Sequence, residues 1–398
     1  MHKKLLILAA GILQVPVIKK AREMGCYVIA ADGNANAVGL QYADKAVVAD
    51  ITDEDVMLQI ARKEKVDGVI HPCSEVSMSV MGYINDSLGL SGISKLMARR
   101  ATNKYLMREA FTKYGAPSPQ SYCTNDANEA WNLFCDKFDK NAILKPSRSS
   151  GSRGIAKIDH NISREKFLEL YKCAYQESRD KQVMIEQFIN GPEFSVEIIV
   201  WNGNVNVLAV TDKKTTGAPY FVELGHSQPS VFHLNIVEKV KDAAVAGVKA
   251  LELSNCACHA EIKVENDKAY IMEIGARLGG DFISTELTHL STGVDMVAAA
   301  VNIALGIAPD MKPKKKKQGA CIRYFCPRPG RLVSIEGLEH LNDEHVYMSE
   351  IYCEKGDKIL EVKSSLDRSG HMIVTAQNSR EAIGIAEDLI GKIKFEII

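Results

Sequence analysis

The sequence predicts an α/β domain built on a doubly wound parallel sheet, followed by a larger α+β region and a small α+β segment at its end. Three observations carry this expectation. Short apolar runs alternate with helical stretches over about the first 90 residues, strands and helices mix over residues 120–310, and a lysine-rich stretch at 312–317 precedes short strands and a last helix. The expected domains are residues 1–93, 94–311 and 318–398.

In order, KKLLILAAG, CYVIAADGN, KAVVAD and DGVIHPCS read as buried strands, separated by helices such as Val15 to Met24 and Asp53 to Lys63. Gly11 opens the first turn, but no GxGxxG follows it, and Asp32 alone does not make a dinucleotide fingerprint. One helix is expected from Lys95 to Tyr114, ended by Gly115 with Pro117 and Pro119 beyond. Val183 to Glu186 and Phe194 to Val200 are apolar strands, Asn255 to Glu265 and Ala269 to Ile274 form a hairpin, and Ser379 to Lys392 is the final helix.

The chain has 398 residues, a quarter of them charged, and a formal net charge of -1, so no global field favours nucleic acid or an anionic membrane. Two lysines before an apolar run suggest a secretory leader. Gly11, Gln14 and Pro16 interrupt that run, so a first strand and helix fit it better. No stretch approaches the roughly 18 apolar residues of a membrane span. Ten cysteines without a CxxC pair predict reduced core thiols and a cytoplasmic protein. Around Cys256, Cys258 and His259, alternation sets both cysteines on the buried face and the histidine on the other, which favours core packing over zinc. KPKKKK is expected to be a solvated linker.

The hairpin carries the first chemical signal. One face of its first strand holds Cys256, Cys258, Ala260, Ile262 and Val264, and the other His259, Glu261, Lys263 and Glu265. Asn266 and Asp267 supply the turn, and an odd-numbered connection sets Glu261 opposite Glu273. Like charges so placed, with Cβ atoms roughly 5 Å apart, repel unless a cation sits between them. Oxygen ligands suit Mg²⁺, which prefers to share its sphere with substrate phosphates; the plain alternative is an exposed acidic ladder. In NAILKPSRSSGSRGIAKI a strand ends at Lys145 before a loop of small residues whose backbone N–H groups can approach oxyanions. No Walker A pattern is present. In VMIEQFINGPEFSVEIIV a linker between two strands can offer its backbone to an adenine edge, and Glu193 can accept ribose hydroxyls.

Taken together and in order, Lys104, Lys145 with its loop, the EQFI linker, Glu193, then Glu261, Glu273 and Arg277 closely resemble the ATP-grasp superfamily. The resemblance covers nearly the whole chain and implies a Rossmann-like domain, then two α+β subdomains that clamp ATP and Mg²⁺, with Mn²⁺ as a substitute. In that superfamily a carboxylate attacks the γ-phosphate to give an acyl phosphate, which an amine or another nucleophile captures. By position, the resemblance implies Lys104 and Lys145 as phosphate ligands, and Ser149, Ser150, Gly151, Ser152 and Gly154 as the flap over the phosphates. It implies Glu186, Gln187, Phe188 and Ile189 at the adenine, Glu193 at the ribose, and Glu261 and Glu273 at the metal. One departure stands out: Gly275 occupies a position that usually carries an asparagine ligand.

PYFVELGHSQP, with Glu223 and His226, and GARLGGD, with Arg277 and Asp281, resemble the L-amino-acid ligases, as does the C-terminal segment. The resemblance implies Glu223, His226 and Arg277 around the acceptor and oxyanion, and Glu75 and Asp281 near the substrate, Glu75 by its amino group. The expected activity joins a small carboxylate to a small amine, with no nucleic-acid or membrane partner and with a homodimer allowed. A purine-type ligase acting on a ribosyl phosphate is the alternative, and a non-enzymatic binding or structural protein a remote third.

Overall fold

Four apolar runs at the start pair as a parallel sheet: Lys4–Leu8, Tyr27–Asp32, Lys45–Val48 and Gly68–Ile70. Their order is third, second, first, fourth. This is the doubly wound arrangement expected. In the computed structural model, which describes residues 2–149, 153–314 and 316–398, Leu5, Leu6, Ile7 and Leu8 are completely buried. Each such side chain contributes about 1.5–3 kcal/mol by leaving water. The order of strand addition reverses between the first and fourth strands, which run parallel, so loops 9–14 and 71–77 leave the sheet at its carboxyl edge, where doubly wound sheets bind ligands.

The single helix expected from Lys95 to Tyr114 is two. Lys95–Thr102 and Lys104–Tyr114 meet at Asn103, which is extended and accepts the Leu106 N–H in its side chain. An asparagine N-cap stabilises a helix start by about 1 kcal/mol, and helical periodicity cannot register such a change of axis. The break makes Lys104 the first residue of the second helix, and its N–H donates to the Ser147 carbonyl. Next comes a four-stranded antiparallel sheet in the order Ser121–Thr124, Val183–Gln187, Ala142–Pro146, Ala156–Ile158. Helices Ala127–Lys137 and Arg164–Glu177 cover it with a core around Phe134, Phe138 and Phe167.

The largest element is an eight-stranded antiparallel sheet. Its order is Lys268–Gly275, Cys256–Glu265, Glu193–Trp201, Asn204–Thr215, Glu223–Gln228, Gly319–Tyr324, Gly370–Ala376, Val346–Ile351. It runs without interruption past the lysine-rich stretch, because Glu223–Gln228 pairs directly with Gly319–Tyr324. Residues beyond 318 thus extend the central sheet by three strands, with helix Ser379–Lys392 packed on them. A three-stranded sheet of Lys358–Ile359, Gly330–Glu336 and Lys394–Ile397 completes this end. Helix Met296–Ala304 packs against both the N-terminal sheet and the large sheet, joining them in one apolar cluster. All ten cysteines are free thiols.

Candidate active site

Strand register assembles the site on one face of the large sheet. Glu265 pairs with Lys268 around the two-residue turn Asn266–Asp267, whose positive φ values of 49° and 65° suit a tight hairpin. A β-bulge at Met272, rather than the odd-numbered connection expected, then sets Glu261 opposite Glu273. On the same face, Lys263, Glu193, Lys213 and His226 follow one another across neighbouring strands. The repulsion expected between the two glutamates is relieved by lysines. Lys213 Nζ lies 3.2 Å from Glu261 and Lys104 Nζ 3.0 Å from Glu273.

Lys213 is 5% exposed and also meets Glu193 at 2.6 Å and Glu223 at 3.7 Å. Burial alone would lower its pKa; the three carboxylates outweigh burial and hold it well above the usual lysine value. The Lys213 charge in turn keeps Glu261 well below the usual carboxylate range. His259, expected on an exposed polar face, is buried because that face packs inside the molecule. Its Nδ1 bonds the fully buried Glu197 at 2.5 Å, and its Nε2 lies 3.8 Å from Glu261. Burial pulls the His259 pKa down, but Glu197 more than offsets this and pushes it up to about 9. Cys256 and Cys258 share the other, apolar face, as expected.

A second cluster faces the glutamates. Glu186 is buried and accepts two bonds from Arg108, at 2.9 and 3.2 Å, and one from Lys145 at 2.6 Å. Arg108 and Lys145 hold Glu186 ionised against the effect of burial. Burial lowers Lys145 to about 8, despite Glu186, with Arg108 and Lys104 adding repulsion. A cavity of about 870 Å³ lies between the clusters, and Lys104, Lys145, Gly154, Phe188, Glu193, Glu223, Glu261 and Glu273 are on its wall. At its far side the linker turns at Gly191, where φ is 143° and a Cβ would lie 2.0 Å from the Val264 carbonyl, so only glycine fits.

Residues 138–286 match the ATP-grasp domain model, and residues 323–397 match the L-amino acid ligase C-terminal domain 2. Residues 138–286 carry an ATP-grasp domain. Alanine–anticapsin ligase of Bacillus subtilis strain 168 is 27% identical over 250 residues, 57% of this chain and 52% of that one. The fold of the L-amino acid ligase from Bacillus licheniformis superimposes with a TM-score of 0.83 at 20% identity, over 100% of this chain and 99% of that one. Phosphoribosylglycinamide synthetase from Anaerococcus prevotii gives 0.79 at 24% identity, over all of both chains. The chain spans half to two thirds of the length of the first curated relatives it matches.

Within the ATP-grasp frame, the expected residues divide. Lys104, Lys145, Gly154, Glu186, Gln187, Phe188, Ile189, Glu193, Glu223, Glu261 and Glu273 all line the one cavity. Ser149 lies beside it, its carbonyl 3.4 Å from Lys104 Nζ; Ser150, Gly151 and Ser152 are outside the described residues. Glu75 and Arg277 pair at 3.3 Å, and Glu75 is held up by burial and by the charge of Glu273. His226 is not on the cavity wall. It is 1% exposed inside the sheet, with Nε2 at 3.3 Å from Asp281. Asp281 is bound by both ends of the Arg368 fork, at 2.9 Å each.

Two carboxylates in register on one cavity wall fit a hard divalent cation that takes its other oxygens from phosphates and water. Among the described residues no group of three or more His, Cys, Asp or Glu is arranged to bind a metal. Gly275 accounts for part of this. A Cβ there would come within 3.1 Å of the Arg277 side chain, so Arg277 fills the space a third ligand would need. Sequence reasoning missed Arg108, Lys213 and Arg368. Arg108 stands one helical turn after Lys104 and Lys213 on the polar face of its strand, so periodicity marks both; Arg368 sits in a loop with no local signal.

Proposed function

We propose that this chain is an ATP- and Mg²⁺-dependent carboxylate–amine ligase that uses an amino acid. The observation that supports it best is the cavity itself, where Lys104 and Lys145 face the opposed pair Glu261 and Glu273 and Arg277 stands alongside, paired to Glu75. In this proposal Lys145 and Lys104 bind the β- and γ-phosphates, and loop 149–154 covers them. The backbone of Glu186–Ile189 faces the adenine, and Glu193 shares the ribose hydroxyls with Lys213. Glu261 and Glu273 would hold Mg²⁺, which would screen the charge on the phosphate oxygens. Lys104 would then turn from Glu273 toward phosphate.

A substrate carboxylate oxygen forms a bond to the γ-phosphorus as the bond to ADP breaks. The amine then attacks the acyl carbon, and phosphate leaves. Arg277, steadied by Glu75, holds the reacting carboxylate and stabilises oxyanion charge. Glu223 accepts the proton lost by the amine. His226 acts at one remove, through Asp281.

Charge at the carboxyl edge of the N-terminal sheet favours an amino acid over a ribosyl phosphate. Loops 9–14 (AAGILQ) and 71–77 (HPCSEVS) contain no lysine or arginine, and burial lowers His71 to about 4, so it is neutral. Glu75 in the second loop attracts an ammonium and repels a phosphate. The test is ADP release from ATP with single amino acids, amino-acid pairs and phosphoribosyl amines, with mass analysis of the product. Amino-acid-dependent ADP and an amide product are expected. ADP formed only with a phosphoribosyl substrate overturns the assignment.

A further inference from the structure

We propose that the loop Lys363–Arg368, from the C-terminal part of the chain, selects the acceptor: Arg368 anchors the loop on the site, and Leu366 meets the acceptor's side chain. The proposal rests on the ligase assignment above and concerns residues outside its chemistry.

The anchor is a guanidinium with every edge engaged. Arg368 donates to both oxygens of Asp281 at 2.9 Å, to the Ser365 carbonyl at 2.8 Å and to the Glu223 carbonyl at 3.4 Å. Its guanidinium carbon lies 3.6 Å from the centre of the Tyr324 ring. Only a planar fork makes this set of contacts. Asp281 is itself in the left-handed region, at φ 52°, a conformation that a non-glycine residue keeps only when its surroundings hold it. Arg368 thus fixes Asp281, and with it the Asp281 contact to His226.

The rest of the loop is tied as well. Ser364 and Asp367 form a reciprocal cap, the Ser365 hydroxyl donates to the Glu223 carboxylate at 3.1 Å, and Lys363 sits over the Tyr220 ring at 5.6 Å. Against this background Leu366 is 95% exposed, and it lies on the wall of the cavity. An apolar side chain that a pinned loop holds clear of any core, at the mouth of a cavity, suits an apolar group arriving with a ligand. The side of the cavity decides which ligand. The adenine linker belongs to the four-stranded sheet, whereas this loop contacts Glu223 and Tyr220 on the large sheet and its connecting loop, where the acceptor amine must release its proton.

The experiment measures kcat/KM for a series of acceptors from small to bulky, with the KM for ATP as internal reference. Leu366→Ala is expected to shift the bulky-to-small ratio at least tenfold toward bulky acceptors, and Leu366→Trp to shift it toward small ones, the range that a change of pocket size commands. Arg368→Gln should raise the acceptor KM and flatten the selectivity, with Arg368→Lys recovering only part; melting temperatures near the parent's establish that the variants are folded. Acceptor ratios within twofold of the parent in both Leu366 variants overturn the proposal. If phosphoribosyl substrates alone support ADP formation, the ligase assignment fails separately. The same ratios, measured across acceptors of that class, still decide the role of the loop.

Discussion

The Lys145 ammonium is enclosed between Glu186, Arg108 and Lys104, and burial lowers its pKa to about 8, below that of an ordinary lysine. The sign follows from that depression: Lys145 is charged below about pH 8 and neutral above it. Polyphosphate arriving beside it stabilises the charged form, so nucleotide binding near pH 8 should draw a proton from solution. Calorimetry of a non-hydrolysable ATP analogue in buffers of different ionisation heat should report proton uptake at pH 8 and much less at pH 6.5. Affinity should fall as pH rises through 8, and Lys145→Ala should weaken binding at least tenfold, about 1.4 kcal/mol. Equal affinity in parent and variant would remove Lys145 from the phosphate site.

At the scale of elements, Glu186 clamps three pieces of chain. It stands on Val183–Gln187, takes Arg108 from the helix Lys104–Tyr114, and takes Lys145 from the neighbouring strand. Arg108 continues to the Met272 carbonyl at 2.7 Å, on the hairpin strand that carries Glu273. The two walls of the cavity are therefore coupled through one carboxylate. Glu186→Ala leaves two buried cations without a counter-charge, and removing one partner from a buried pair costs about 3–5 kcal/mol. Urea unfolding should show a loss in that range; a loss under about 1 kcal/mol would mean that water replaces the carboxylate. The break at Asn103 belongs to this scale too, since a continuous helix would carry Lys104 on the axis of the preceding one.

For the whole molecule, the central sheet makes the C-terminal part structural as well as chemical. Removing residues 318–398 takes away three of eight strands and bares the edge Glu223–Gln228. It also strips Arg368 from Asp281. Exposed strand edges recruit other chains. A chain ending at residue 317 should self-associate by light scattering and lose its cooperative calorimetric transition. A soluble fragment melting cooperatively near the parent temperature would show that the five remaining strands suffice. Among the described residues no helix is long and apolar enough to cross a membrane.

The amino-acid pattern by itself determined the parallel strands and the hairpin that carries Glu261 and Glu273. A period of two marks the faces of each strand locally, but the register that opposes Glu261 and Glu273 also needs the bulge at Met272. The same locality marked Lys145, and the order of such signals pointed to the ATP-grasp domain. Only the tertiary structure decided what neutralises the acidic pair, because Lys104 and Glu273 are 169 residues apart and Lys213 and Glu261 are 48 apart. It likewise turned the supposedly polar face of His259 inward onto Glu197, moved His226 off the cavity wall and brought Arg368 to Asp281 across 87 residues. Ionic and hydrogen-bonded partners of this kind are chosen by packing between elements, and no spacing within one segment encodes them.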